Sequence, residues 1–427
     1  NGTAIAGKNG YPKGLITRPW LSYGPRFGFA YDLFGNGKTA LRGGFGWFMD
    51  TGQTNPIRNT AGNPPPAFTP VLYYGSLDTY AQTAGALGPS SPGIMFGPTK
   101  LPDTMNFSVG IQQRVWGSVL DASYVGGLSR HLQVTRNINA IAMYSHFDPK
   151  NEDPTQPGKP LPDNFFRPYP GYGNLNMTEW SGTSNYNAFQ FSANRRFTRG
   201  LQFGVAYTFS KVLGTASADG NSLSPYFSPR SWNYGPLSFD RTNVLVFNYM
   251  YDVPKVGTRL GFKPAGWALD NWQISGITSF ISGSAYTPGF STVDGADITG
   301  SAEGARITVV GDPRLSQGES TYYRNFKTEV FRRTPALGFG NAGLGLLRGP
   351  GTNNWDIAVS KRVPLFSEAR YIQFRTEMFN TWNHTQFSGL YTGARFDLAG
   401  NQVDPNFGAF SSARGPRVIQ LSLKVVF

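Results

Sequence analysis

Alternation of large apolar side chains with small or polar ones recurs along most of the chain, and it restricts the fold more than any other feature. Between Arg26 and Leu33, for example, Phe27, Phe29 and Tyr31 alternate with smaller or charged residues. A period of two is that of a β-strand whose two faces meet different surroundings. The pattern predicts eleven strands, at residues 26–33, 38–49, 104–116, 118–130, 186–197, 201–211, 239–252, 272–287, 354–363, 370–382 and 416–427.

The connections between these strands alternate strictly between short and long. The short ones are 34–37, 117–118, 198–200 and 364–369, with a connection of moderate length at 253–271, and the long ones are 51–103, 131–183, 212–238, 288–353 and 383–415. A bacterial outer-membrane barrel has short periplasmic turns and long extracellular loops, whereas a soluble sandwich mixes connection lengths at both ends. We therefore predict an all-β fold, an antiparallel up-and-down transmembrane β-barrel. A soluble sandwich or propeller is the alternative.

The amino-acid composition argues against a mainly helical fold and against several classes of metal-dependent or cysteine-dependent protein. Gly 53 and Pro 31 among 427 residues, with 15% charged and 15% aromatic residues, favour turns and strands over helices. No Cys and only three His leave little room for zinc, an iron–sulfur cluster or a thiol nucleophile. Five tryptophans near predicted strand ends suit the two water–lipid interfaces: Trp47, Trp116, Trp272, Trp355 and Trp382.

The last predicted strand alternates cleanly and ends the chain on an aromatic residue. Leu421, Leu423, Val425 and Phe427 fall on one face, and polar side chains fall on the other. This arrangement resembles the C-terminal assembly signal of bacterial outer-membrane barrels, which the barrel assembly machinery reads. We therefore expect the cell outer membrane of a Gram-negative bacterium as the location, with this machinery as a partner.

Four stretches resemble Oar-like TonB-dependent outer-membrane receptors. They are GPRFGFAYD at 24–32, GKTALRGGFG at 37–46, FNTWNHTQF at 379–387 and PRVIQLSLKVVF at 416–427. The resemblance extends over residues 1–427 and implies the C-terminal half of such a receptor's barrel, about 11 of 22 strands. It also implies that the plug, the regulatory-like domain and the segment that contacts the TonB complex belong to an N-terminal part that this chain lacks.

The function implied by the resemblance is TonB-dependent uptake of an extracellular ligand through a plugged barrel. The alternative is a structural or adhesive surface barrel that binds polymers or neighbouring cells. No enzyme signature supports catalysis, and no cofactor is expected. The G-x-G-x-x-G at residues 338–343 leads into turns and a strand, whereas a dinucleotide site requires a helix there.

Charged residues on the polar faces of the strands are expected to point into the barrel lumen: Arg26, Arg42, Arg114, Arg196, Arg375 and Glu377. There they can pair with a plug or line a solute path, and simple solvation of a wet interior is the alternative. The net charge of +13 comes from scattered basic residues without a lysine-rich run, so nucleic acid is not an expected partner. Lipid and the phosphates of lipopolysaccharide are the expected partners of the basic loops and rim.

The long loops are rich in tyrosines, which stack on sugars or peptides. The candidate ligand contacts are Tyr73, Tyr74, Tyr172, Tyr226, Tyr322 and Tyr323. Three acidic residues of the 288–353 loop, Asp294, Asp297 and Glu303, are a candidate calcium site, and a solvated acidic turn is the alternative.

Overall fold

A computed structural model describes residues 5–17, 20–50, 55–63, 78, 90–95, 100–261, 263–316, 318–367 and 370–427. Within these ranges, none of the helices has the length and apolar character needed to cross a membrane.

Eleven consecutive strands form one antiparallel meander in which each strand pairs with its neighbours along the chain. The strands are β1 (Arg26–Asp32), β2 (Thr39–Met49), β3 (Asp103–Val115), β4 (Ser118–Asn137), β5 (Asn176–Thr198), β6 (Leu201–Gly214), β7 (Asn243–Asp252), β8 (Trp272–Ile281), β9 (Thr352–Ser367), β10 (Arg370–Phe379) and β11 (Val418–Val426). The predicted strand number and the all-β, up-and-down architecture are confirmed. Among the described residues, β1 pairs only with β2 and β11 only with β10, so the sheet is not closed.

The cross-strand register separates an apolar face from a polar one. Val109, Tyr124, Phe189 and Phe209 are directly opposite one another on four successive strands. These side chains are 43–52% exposed, although they stand in the middle of the sheet. The opposite face carries Gly110, Ser123, Gln190 and Thr208 in an equivalent row. A continuous band of exposed apolar side chains is the face that a membrane barrel turns to lipid.

The shortest turns have the backbone conformation that a tight hairpin needs. Trp116 and Gly117 join β3 to β4 with φ angles of 48° and 74°, and Arg199 and Gly200 join β5 to β6 with 52° and 77°. Two left-handed residues in succession define the type I′ turn, whose twist matches that of the strands. The turn predicted at 117–118 therefore lies one residue earlier, because the second left-handed position requires Gly117.

Strands β4 and β5 extend well beyond the predicted 118–130 and 186–197. They have 20 and 23 residues, about twice the 9–11 that cross a bilayer. Their added parts stay paired across register shifts that begin at Ser129. Conversely, β8 ends at Ile281, before the predicted 287, and the residues beyond it, Ala285 and Tyr286, pair with Arg348 and Leu347 in a separate short ladder.

The connections contain shorter elements. The short strands are Ile94–Met95, Ser222–Leu223, Gly235–Pro236, Ala285–Tyr286, Gly289–Thr292, Thr308–Val309, Phe331–Arg332, Leu347–Arg348, Phe387–Leu390, Gly393–Phe396 and Phe410–Ala413. The α-helical turns are Asn55–Asn59, Pro229–Trp232, Val256–Arg259 and Lys263–Leu269, and the 3-10 turns are Thr60–Gly62, Ser145–Phe147, Pro149–Asn151, Asp163–Phe165 and Thr328–Val330.

Candidate functional site

The long connections at one end of the sheet pack into a folded cluster. We name them loop 2 (138–175), loop 3 (215–242), loop 4 (282–351) and loop 5 (380–417). Loops 4 and 5 share a small hydrophobic core, in which the side chains of Phe331 and Phe396 are almost fully buried. The strand Gly289–Thr292 of loop 4 pairs in parallel with Gly393–Phe396 of loop 5. The loops therefore form a defined surface and not a set of separate flexible segments.

An aromatic cluster around Phe339 joins loops 2, 3 and 4. The Phe339 ring makes edge contacts with Tyr144, Tyr226, Phe227 and Trp232, at centroid distances of 5.9, 6.2, 5.2 and 6.3 Å. Phe227 and Trp232 stack on each other at 4.5 Å. Edge-to-face and offset packing at these distances is favourable beyond the area that it buries.

Charged groups surround this cluster and complete its hydrogen bonds. The Arg306 guanidinium lies 3.9 Å from the centre of the Trp232 ring and donates to the Trp232 carbonyl at 2.7 Å. Glu303 accepts hydrogen bonds from Trp232 Nε1 at 2.7 Å and from the Ser224 hydroxyl. Burial lowers the pKa of Arg306, and the nearby charge of Glu303 opposes this shift. The Trp232 side chain is thus fixed on both its face and its edge.

His146 forms a second link between loops 2 and 4. Its Nδ1 lies 2.6 Å from Asp297 Oδ2, and its Nε2 lies 2.8 Å from Asp163 Oδ1. Arg167 approaches the other oxygen of Asp163 at 3.5 Å. Burial is the largest single influence and lowers the pKa of His146, but the hydrogen bonds and charges of the two carboxylates together raise it above its ordinary value.

A cavity of about 500 Å³ opens between loops 3 and 4, where β6 and β8 end. The hydroxyl oxygens of Ser217 and Thr287 each accept a hydrogen bond from a backbone N–H, that of Ser238 and that of Gly345 respectively, both at 3.0 Å. Among the described residues that line the cavity, no side chain is charged. Its hydroxyl and amide side chains include Thr215, Ser217, Asn221, Ser222, Asn233 and Tyr286. This lining suits a neutral ligand that offers many hydrogen bonds.

The charged residues predicted to face the lumen lie away from the exposed apolar face. Arg26 and Arg42 are opposite Gly46 and Ala30, and Arg114 is opposite Val119, all on the polar side of the sheet. Arg375 pairs with Glu377 at 2.7 Å on the side that carries Ser422 and Gln420 of β11. Arg196 lies in the bulge next to the turn at 199–200. That these side chains line a lumen stays a prediction.

The candidate tyrosines have different surroundings. The Tyr226 hydroxyl donates to the Ile141 carbonyl at 2.7 Å and accepts from the Ala302 N–H at 3.0 Å, so it braces three loops. The Tyr172 carbonyl accepts from the Asn139 side chain. Tyr322 and Tyr323 are 49% and 71% exposed and contact each other at 4.8 Å. Tyr73 and Tyr74 lie outside the described residues. Contact of any of them with a ligand stays a prediction.

The acidic residues of loop 4 have separate partners. Asp294 pairs with Arg333 at 3.1 Å, Asp297 with His146, and Glu303 with Trp232. In the described part of the chain, no three His, Asp or Glu side chains lie close enough together to hold a metal ion.

Comparison with known families agrees with this architecture. The family described as "Outer membrane beta barrel domain" matches residues 1–420. The chain belongs to this family. As an outer membrane β-barrel domain, it is located in the outer membrane of a Gram-negative bacterium. The comparison with curated proteins gives no significant match.

Solved structures similar to this β-barrel domain include two transporters and a siderophore receptor. The transporter YddB from Escherichia coli is 11% identical with a TM-score of 0.48, and the match covers 95% of this chain and 40% of that protein. The siderophore receptor PirA from Acinetobacter baumannii is 12% identical with a TM-score of 0.45, covering 95% and 41%. The FrpB iron transporter from Neisseria meningitidis is 11% identical with a TM-score of 0.42, covering 95% and 39%. The chain thus spans about two fifths of their lengths.

Proposed function

We propose that the chain is the C-terminal half of the barrel of an Oar-like TonB-dependent receptor, which takes up an extracellular ligand and carries out no catalysis. The folded loop cluster with its polar cavity is the observation that carries this proposal. A barrel that serves only as a surface scaffold has no need of an uncharged cavity that carries several hydroxyl and amide groups. Membership of the outer membrane β-barrel domain family and the resemblance of four sequence stretches to Oar-like receptors add support.

The lining of the cavity suggests the class of ligand. Hydroxyl and amide groups without a charged neighbour suit neutral oligosaccharides, whose many hydroxyl groups both donate and accept hydrogen bonds. The exposed Tyr322 and Tyr323 rings of the same cluster offer stacking surfaces for sugar rings. Entry of the ligand through the barrel then depends on movement of a plug, driven by the TonB complex through the N-terminal part of the receptor.

The test uses the full-length receptor in two steps. Purified protein is applied to an array of neutral and acidic glycans, and cells are then given the best fluorescent glycan with and without a protonophore. We expect binding of neutral glycans, uptake that the protonophore abolishes, and loss of both in the cavity variant Ser222→Trp. Thr155→Trp, in an exposed part of loop 2 away from the cavity, is the matched control.

The outcomes separate the two candidate functions. Surface binding without uptake indicates the adhesive barrel, and uptake that persists in the presence of the protonophore contradicts TonB coupling. Binding of acidic glycans alone contradicts the ligand class.

A further inference from the structure

The connection between β7 and β8, residues 253–271, differs from the other connections at its end of the sheet. The turns at 116–117 and 199–200 have two residues each, whereas this one contains the helices Val256–Arg259 and Lys263–Leu269. The two helices pack so closely that a Cβ added at Gly257 would stand 2.2 Å from the Ala265 carbonyl oxygen. Asp270 is 4% exposed and accepts hydrogen bonds from the backbone N–H groups of Gly257 and Thr258 at 2.7 and 2.9 Å. The segment therefore has a defined tertiary structure and is not an irregular loop.

This helical segment folds over the lipid-facing side of the sheet. Lys361 and Val359 lie on the same face of β9. This is the apolar face of the sheet, because Val359 is opposite Ile274 of β8 on one side. On the other side, Val359 is opposite Thr376 of β10, which is in turn opposite Leu421 of β11. An uncovered lysine on that face is unfavourable in a membrane. Here Lys361 is 9% exposed, and its ammonium donates to the carbonyls of Ala268, at 3.2 Å, and Asp270. The end of the second helix thus supplies the partners that this cation needs.

The outer surface of the segment is apolar and continuous with the lipid face of the barrel. Val256, Leu260, Trp267 and Leu269 are 45%, 64%, 71% and 46% exposed. An apolar cavity of about 360 Å³ joins this surface to the strands and is lined by Val253, Val256, Leu269, Trp272, Ile274 and Val359. Exposed apolar patches of this kind mark an interaction surface. Tryptophan is also enriched at the level of the lipid head groups.

Basic residues accompany the apolar surface. Lys255 and Arg259 are exposed on the same segment. Cations near the membrane surface are attracted to anionic phosphates. Short turns of bacterial barrels lie on the periplasmic side, where the leaflet consists of glycerophospholipids.

We propose that residues 253–271 are an amphipathic anchor that inserts Leu260 and Trp267 into the periplasmic leaflet of the outer membrane and binds phospholipid head groups through Lys255 and Arg259. Continuity with the lipid face of the barrel and the charge of the segment both favour a lipid surface over a second copy of the chain as the occupant. The anchor fixes the depth and tilt of this part of the barrel at the interface.

Site-directed spin labelling of the full-length receptor in nanodiscs of phosphatidylethanolamine and phosphatidylglycerol tests the insertion. The 427 residues contain no Cys, so within them Trp267→Cys and Leu260→Cys each give a single labelling site. Leu421→Cys is the lipid control, and Asn36→Cys, at an exposed turn at the same end, is the aqueous control. We expect the ratio of oxygen to nickel-chelate accessibility at 267 and 260 to exceed that at 36 by about fivefold, since an interfacial helix buries its apolar face about 5–10 Å deep.

Two results overturn insertion into lipid. A ratio at 267 and 260 equal to that at 36 places the segment in the aqueous periplasm. Protection from both reagents, with spin–spin broadening between labels, shows that a second copy covers the patch.

Native mass spectrometry tests the head-group contacts. We expect the pair Lys255→Gln and Arg259→Gln to reduce the phosphatidylglycerol retained by the full-length receptor at least twofold. The pair Lys38→Gln and Arg199→Gln removes the same charge from other exposed turns at this end and is expected to leave retention unchanged. Equal losses in both pairs, or no loss in the first, contradict a specific phosphate site.

Discussion

A single imidazole joins two loops that are far apart in the sequence. His146 and Asp297 are separated by 151 positions, and Asp163 holds the second ring nitrogen. The titratable and charged groups that face the ring are Asp163, Asp297 and, behind Asp163, Arg167. Two carboxylates favour the imidazolium form, so the link between loops 2 and 4 is strongest when His146 is protonated.

This link predicts that the loop cluster loosens as the pH rises. The pKa of His146 in the folded protein is raised above its unfolded value of about 6.5. The stabilisation that protonated His146 gives to the loop cluster is therefore fully present below about pH 6.5. It is lost as the pH rises through the pKa of His146 in the folded protein. Hydrogen-exchange protection factors of residues 138–175, which exclude the intrinsic rise of the exchange rate with pH, should fall over this range in the native protein. The His146→Gln variant should show low protection throughout, and His384→Gln should behave like the native protein. A pH-independent difference between native protein and His146→Gln would contradict the role of the charge.

Substitutions on the two faces of β11 are expected to differ in their effect on stability. Leu421 is 64% exposed on the apolar face, and Gln420 points to the other side. Leu421→Arg should destabilise the folded receptor by about 2–4 kcal/mol if the residue lies near the bilayer midplane, because the guanidinium is placed in hydrocarbon. Gln420→Arg should be tolerated much better. Refolding titrations in lipid vesicles measure both, and equal losses would show that the face assignment is wrong.

At the scale of elements, the sequence predicts those strands whose residues alternate between apolar and polar. Alternation identifies all eleven strands, because each strand separates lipid from a polar surface along its own length. It does not predict the outer halves of β4 and β5, which lie beyond the predicted ends at 130 and 186 and stay paired only across register shifts. The aromatic cluster around Phe339 and the anchor at 253–271 also escape prediction. Their contacts join residues far apart in the chain, and their aromatic residues follow no period.

The connections make a prediction about orientation. Loops 2 to 5 lie at one end of the sheet and the short turns at the other, and we expect the loops to face outside the cell. Cysteine introduced at Ser222 or Ser320 in the full-length receptor should react with a membrane-impermeant maleimide on intact cells. Cysteine at Asn36 or Thr198, at the turns, should react only after the outer membrane is opened. The reverse labelling pattern would invert the topology.

At the scale of the whole molecule, the sheet is open among the described residues. Both β1 and β11 have one partner strand among the described residues, so each presents an unpaired edge. In lipid, each unsatisfied backbone group costs several kcal/mol, since no water is present to replace the missing hydrogen bond. Single-chain bacterial barrels also have an even number of strands, and eleven is odd. We therefore propose that further strands complete the barrel, giving 22 in the Oar-like receptor.

The open edges predict how residues 1–427 behave when they are produced alone. Without strands to pair with β1 and β11, the protein should aggregate or be degraded in the outer membrane, because neither edge can be satisfied by lipid. The full-length receptor should instead run on a gel as a band whose mobility changes on heating, as closed barrels resist detergent until they are boiled. Size-exclusion chromatography and the gel shift check both states. A monodisperse, heat-modifiable monomer of residues 1–427 would contradict the proposal and imply that these strands close on themselves. A stable dimer would show instead that a second copy supplies the missing strands.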